Sequence, residues 1–171
     1  MKKFLAVVFT VYLSLILFMP KVNIWFTLEK ALREEGVIIS DEKVKDYGLF
    51  FSLKDGKLYY DGLKTLDIGS VKVLPFLFFN EITLKNIKSS KETKSLFNLS
   101  LSEVDLKNSV LKPFSILIKG EGDMGKFSGS LDLKKRFVKI VLIPSKKFLA
   151  GGNLRRYFKK SKEGYVYEYG F

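Results

Sequence analysis

Carboxylates are the first side chains to weigh, because this chain has no histidine and no cysteine. Their absence removes thiolate nucleophiles, disulfides, iron–sulfur ligation, Cys/His zinc sites and every histidine-based triad. An enzyme built here would have to work with Asp, Glu, Lys, Tyr or Ser. Asp55, Asp61, Asp67 and Asp123 are the candidates for paired-carboxylate chemistry. Three of them adjoin glycine, in Asp55-Gly56, Asp61-Gly62 and Gly122-Asp123, where Asp is favoured for bonding its own backbone in turns. The expectation is a protein that is not an enzyme, with no catalytic residues, no metal and no cofactor.

Two other features could do chemistry. Gly120-Glu-Gly122-Asp-Met-Gly125-Lys-Phe-Ser-Gly129 is glycine-rich enough for a phosphate cradle. It lacks the Gly-Lys-Ser/Thr ending of a P-loop, and no helical pattern follows it, so bends and close strand approach are the better reading. The net charge of +12 would attract anionic partners such as phospholipid headgroups or nucleic acid. Lysine dominates, however, and bidentate phosphate recognition favours arginine, represented only by Arg33, Arg136, Arg155 and Arg156. A solvated lysine-rich surface is therefore preferred.

The elements that must position these residues begin with an anchor. Lys2 and Lys3 precede an uncharged run from Phe4 to Met19. As a helix this run spans roughly 24 Å at about 1.5 Å per residue, slightly short of the ~30 Å hydrocarbon core. Snorkelling by Lys2, Lys3 and Lys21, or continuation through Pro20, makes up the difference. The competing reading is a cleaved signal peptide, but the run is long for one and no small-x-small cleavage site follows. Residues 1–20 are accordingly read as a transmembrane anchor, with Phe4, Leu5, Val8, Leu13 and Leu17 facing lipid and Trp25 at the aromatic belt. The leading lysines favour a cytoplasmic N-terminus and a translocated remainder, where nucleic acid is not an expected partner.

Residues 21–36 read as an amphipathic helix with Ile24, Trp25, Leu28 and Leu32 on one face and Gly36 as its stop. Residues 37–171 turn to β patterning. The strongest hairpin signal is Leu49–Leu53, Asp55-Gly56 as a type I′ turn, then Lys57–Tyr60. Leu66 and Ile68 alternate with polar neighbours. Pro75–Phe79 reads as a short helix or corner, and Ile82 and Leu84 share a face. Ser89–Lys94 reads as an exposed polar turn. Phe97, Leu99 and Leu101 alternate as a half-buried strand, which Val104 and Leu106 continue past a register shift. Phe114, Ile116 and Ile118 form another strand, and Ser130–Ile143 a hairpin turning at Lys134–Arg136. A short helix is expected from Asn153 to Lys160, before a last strand ending near Tyr169. The inventory is roughly eight to ten short strands with one apolar face each. The expected fold is mainly β: an anchor and an amphipathic helix, then an antiparallel sheet curled as a half-barrel, with a short C-terminal helix.

In order, these residues resemble the type II secretion system protein N family and its wider AsmA-like relatives. The resemblance rests on Met19-Pro20, Asp55-Gly56-Lys57-Leu58, Asp61-Gly62-Leu63, Leu66-Asp67-Ile68 and Val71-Lys72-Val73. The late block Gly120-x-Gly122-x-x-Gly125 to Gly129, Leu131-x-Leu133 and Ile143-Pro144-Ser145 adds to it. It implies a bacterial inner-membrane protein, single-pass, with its bulk in the periplasm, serving secretion machinery or handling lipid between membranes. No catalytic residues come with it. The alternative is a lipid- or acyl-chain-binding or transfer module. Its apolar groove would be lined by Phe50, Leu58, Ile68, Ile82, Phe97, Leu99, Phe127 and Leu131. Against a groove stands the size of the domain: about 150 residues leave little apolar surface to spare, so a closed core is expected.

Overall fold

The computed structural model describes residues 1–76, 78–151 and 153–171. Helix α1 (Lys2–Phe18) ends where Pro20 removes a backbone donor and disfavours helical geometry at Met19. Helix α2 (Lys21–Glu34) starts immediately after it and stops at Gly36, whose φ of 77° is the left-handed conformation expected past a helix end. No single helix is long and apolar enough to cross a membrane. The pair α1 and α2, bent by 53° at their junction, passes by length and composition together.

Among the described residues, the rest is built on one open antiparallel sheet of eleven strands: β1 (Val37–Ser40), β2 (Lys43–Asp46), β3 (Phe51–Tyr60), β4 (Leu63–Pro75), β5 (Phe79–Ser89), β6 (Ser100–Ser109), β7 (Lys112–Gly122), β8 (Gly125–Asp132), β9 (Phe137–Pro144), β10 (Lys159–Ser161) and β11 (Gly164–Gly170). From β3 to β9 each strand pairs with the next in sequence, a long meander. β1 and β2 both add to β3, and β11 pairs with β9 and carries β10.

The Asp55-Gly56 hairpin does not form. Strand β3 runs straight through it, and the turn to β4 is made by Asp61-Gly62, with φ of 48° and 79°. The positive φ of 61° at Asp55 is used for something else. On β3 the residues of one face are Phe51 and Leu53, then Gly56 and Leu58. Their partners on β4 are Val73 and Val71, then Ile68 and Leu66. On β5 the same face takes Ile82 and Leu84, then Ile87, and on β6 Leu106 and Val104, then Leu101. Each strand thus spends one extra residue at the same height: Asp55, Gly69, Asn86 and Ser102. A bulge stacked through four neighbours makes a crease across the sheet, after which every ladder resumes in register. Asn86 adopts φ 55°, and Gly69 is needed beside it, since a Cβ there would lie 2.8 Å from that of Asn86.

Three further expectations change. Phe97 and Leu99 precede β6 instead of belonging to it. Their carbonyls accept hydrogen bonds from Ser89, at 2.7 Å for the hydroxyl to Phe97 and 2.9 Å for the backbone N–H to Leu99. The turn at Ser89–Lys94 is not fully exposed: Ser90 and Thr93 are buried, their hydroxyls donating to the carbonyls of Lys64 at 2.6 Å and Thr65 at 2.7 Å. The helix expected from Asn153 to Lys160 forms as a shorter 3-10 helix over Asn153–Tyr157, and a short α-helix precedes it. That α-helix is α3 (Lys146–Leu149), capped by Ser145, whose hydroxyl accepts from the Phe148 N–H at 3.2 Å. The 3-10 helix then leads to β10. Strand β4 ends at Pro75 and β5 begins at Phe79, so that segment is a corner; Leu77 within it lies outside the described residues.

Candidate functional site

The two faces of the sheet differ in chemistry. One is polar and cross-linked by ion pairs between neighbouring strands: Lys107 with Glu81 at 3.0 Å, Lys85 with Glu103 at 3.1 Å and Lys139 with Glu168 at 3.2 Å. The Thr83 hydroxyl donates to Asp105 at 2.7 Å in the same array. The hydrogen bond and charge of Glu81 push the Lys107 ammonium above its ordinary value. These are solvated pairs that set register and contribute little else.

The other face is apolar and covered unevenly. At the N-terminal flank α2 lies on it. Trp25 is 7% exposed, its ring 6.3 Å from that of Phe51, above Leu53, Val71 and Val73. Trp25 is therefore a packing residue between α2 and the sheet. At the C-terminal flank Phe148 of α3 covers Leu142 and Tyr165, in edge-to-face contact with Tyr165 at 5.1 Å. Between the flanks Ile68, Ile87 and Val104 form a central cluster, ringed by half-buried Leu58, Leu66, Leu84, Leu101, Leu106 and Ile118. Trp25 of α2 reaches Val71 and Val73 of β4, and Phe148 of α3 lies over β9 and β11; the cluster around Ile87 and Val104 lies between them. The sheet stays open, and the core expected from chain length is partial: Ile68, Ile87 and Val104 are buried at its centre while the leucines around them stay half-buried.

The expected groove residues divide. Leu58, Ile68 and Phe127 do share the central cluster. Ile82 lines a small cavity of about 140 Å³ under α2, with Met19, Ile24, Trp25, Phe51 and Val73. Leu131 lies on the same face, opposite Ile116 and Val138. Phe50 is on the wrong side: its ring stacks on Tyr47 at 4.7 Å and sits under the Lys72 ammonium at 4.3 Å. Phe97 and Leu99 are half-buried in the segment before β6. The residues missed are Leu84, Ile87, Val104 and Ile118. The crease inverts the alternation midway along β3 to β6, so period-2 reading from one end assigns the wrong face at the other, as at Ile87.

The glycine-rich segment is the β7–β8 hairpin, turning at Asp123-Met124. A Cβ on Gly120 would collide with the Phe127 ring, which lies across it. The glycines thus serve close packing on the apolar face, and no phosphate cradle forms. Near this hairpin Lys94, Lys147, Arg155 and Asp123 rim a pocket of about 330 Å³ above Met124 and Phe148. Lys147 and Asp123 are joined to each other.

The four candidate carboxylates are not brought together. Asp55 pairs with Lys43 at 3.4 Å, Asp67 with Lys64 at 2.6 Å, and Asp123 with Lys147. Asp61 sits in the β3–β4 turn. Among the described residues there is no group of three or more His, Cys, Asp or Glu placed to hold a metal ion.

Helix α1 presents Phe4, Leu5, Val8 and Leu17 to its surroundings, with Leu13 half-buried. Its last turns meet the sheet. Ile16 is fully buried, the Tyr12 ring stacks on Phe78 at 5.5 Å, and Leu17 abuts Gly48. Lys21 is buried at the joint, its ammonium donating to the Met19 carbonyl at 3.3 Å and lying 4.0 Å from Asp46. Set against protein-family profiles, curated proteins and solved structures, the chain matches none.

Proposed function

We propose that this is a membrane-anchored, non-enzymatic protein of the bacterial inner membrane that holds its sheet in the periplasm and serves a cell-envelope machine. The observation that carries this reading is the joint between an outward-facing apolar helix and the end of an open, one-sided sheet. Residues 1–34 have the length and composition of a bent span. The short α1, with 17 residues, reaches about 25 Å at ~1.5 Å per residue. The Met19-Pro20 bend supplies the exit, and snorkelling of Lys2 and Lys3 the remainder. The finer architecture is a sheet curled into a half-barrel about its crease, as in the type II secretion protein N and AsmA-like proteins that the chain resembles.

A second reading is favoured by one observation, the half-buried leucines that ring the central cluster on the apolar face. It makes the sheet itself an acyl-chain-binding module, with Leu58, Ile68 and Phe127 on its floor. The full chain expressed in a Gram-negative host tests both. It should resist carbonate extraction from membranes, and its sheet should be degraded by protease added to spheroplasts. Release by carbonate would remove the anchor; protection until lysis would reverse the orientation. Organic extraction of the purified chain followed by mass spectrometry should yield phospholipid if the face carries acyl chains. A lipid-free, fully folded protein would leave the envelope role resting on protein contacts alone.

A further inference from the structure

Antiparallel pairing places every second loop of the meander at one end of the sheet, and the end nearest α1 has its own chemistry. It gathers the Phe76–Phe79 corner, the Ser109–Lys112 turn, the Leu133–Arg136 turn and the C-terminal Phe171. These are not separate tips. The ring of Tyr12 on α1 stacks on Phe78, and the Phe78 carbonyl accepts the Val110 N–H at 3.1 Å. On the next hairpin the Phe114 carbonyl accepts the Leu133 N–H at 2.8 Å, and the Arg136 carbonyl accepts the Phe171 N–H at 2.9 Å. The Arg136 guanidinium also lies 5.7 Å from the centre of the Phe171 ring.

Along this rim the large apolar side chains are turned outward. Leu111 is 92% exposed, Phe78 67% and Val110 53%, with Leu133 and Phe171 also exposed. Lys112, Lys134, Lys135 and Arg136 alternate with them, against Asp132. Loop tips of a folded domain have no packing reason to carry leucine, valine and phenylalanine in water. Apolar wedges interleaved with cations are what an anionic bilayer interface rewards. The apolar groups enter the acyl boundary, and the cations gain attraction from the anionic headgroups. The opposite end turns at Asp61-Gly62, Lys91–Leu96 and Lys162-Glu163, sequences richer in charge and poorer in apolar residues.

We propose that this rim is a second membrane contact, which lays the α1 end of the sheet against an anionic phospholipid surface and fixes the sheet's tilt on its anchor. The proposal rests on α1 being embedded in the bilayer, the reading given above. Because the chain has no cysteine, single cysteines can report position without background. Val8→Cys, Leu111→Cys, Leu133→Cys and Lys162→Cys would each be labelled with an environment-sensitive fluorophore. The full chain would be reconstituted in phosphatidylglycerol–phosphatidylethanolamine vesicles and, separately, in phosphatidylcholine vesicles.

The expected result is a blue-shifted emission at 8, 111 and 133 in anionic vesicles and an aqueous spectrum at 162. At 111 and 133 the shift should diminish in phosphatidylcholine. The double change Lys134→Glu with Lys135→Glu should reduce it in anionic vesicles while leaving the shift at 8 intact. Aqueous spectra at 111 and 133 beside a blue-shifted 8 would overturn the rim contact and spare the anchor. An aqueous spectrum at 8 would overturn both.

Discussion

At the C-terminal flank Leu142 is fully buried beneath Phe148, while Ile118 on β7, facing the same side of the sheet, stays half-buried. The N-terminal flank repeats the first pattern, with Phe51 and Leu53 under Trp25. Both regions are strands of similar composition in one ladder. Helices cap both flanks, α2 at one and α3 at the other; in the middle Ile68, Ile87 and Val104 are buried as well, and only the strip of residues ringing them, Ile118 among them, keeps a partly wet apolar surface. An apolar surface of this kind loses roughly 25 cal/mol per Å² that remains in water. It is retained at a cost that a bound acyl chain or a protein partner would offset.

The largest expected effect breaks that comparison if it is wrong. Leu142→Ala should cost about 2–5 kcal/mol, the range for a buried leucine leaving a cavity. Ile118→Ala should cost on the order of 1–2 kcal/mol, because part of its surface is already solvated. Denaturant melts of the full chain in one detergent would measure both. Equal losses would mean that the middle strip is covered in solution as deeply as the flank. The gap should also narrow when phospholipid is added, if acyl chains are what cover the strip.

The crease offers a smaller and sharper contrast. Asn86 holds φ 55° on β5, a conformation that costs most L-residues about 1–2 kcal/mol. Asn86→Ala should therefore lower stability by about 1 kcal/mol, and Asn86→Gly should be close to neutral. Asn80, on the same strand beyond the crease, carries no such constraint, so its change to Ala should cost less. If the two Asn→Ala variants melt alike, the stacked bulge is not a fixed feature of the folded chain.

What the sequence shows and what it hides follow the same division. The helical stripe of Trp25, the Gly36 stop, the Lys134–Arg136 turn and the alternation of most strands were all legible, because local pattern decides them. The register shift before Val104 was legible too, since two apolar parities meet there. The crease as a whole was not. Asp55-Gly56 carries the turn chemistry of a hairpin, and only the pairing of β3 with β1, β2 and β4 holds the chain extended through it. Asn86 and Gly69 give no local sign that they stand beside each other. Phe50 was misplaced, and Ile87 missed, for that reason. Loops were harder still: Ser90 and Thr93 look like exposed turn residues, and their burial depends on carbonyls of Lys64 and Thr65 more than twenty-five positions away.

The smallest expected effect lies on the solvated surface, where neither flank nor strip is involved. Asp41, in the β1–β2 turn, receives the Lys57 ammonium at 2.5 Å. That hydrogen bond and charge hold the Asp41 carboxyl below its ordinary value of 3.8, and raise Lys57 above its ordinary 10.5. A carboxyl lowered on folding contributes stability above its unfolded pKa, and the contribution disappears as pH falls through the folded value. For the ammonium the order is reversed: its contribution is present below the unfolded pKa and is lost as pH rises through the folded one. Between these limits the pair is intact, and both groups face solvent, so its worth is small. Carboxyl-detected NMR titration should place Asp41 below 3.8 in the native chain and return it toward 3.8 in Lys57→Met. At neutral pH the melting temperature of that variant should stay close to the parent's. An Asp41 that titrates normally in the unmodified chain would mean the contact is not held in solution. A large fall in melting temperature would mean that β1 depends on its ion pair more than on its ladder with β3, against the ranking argued for the rest of the sheet.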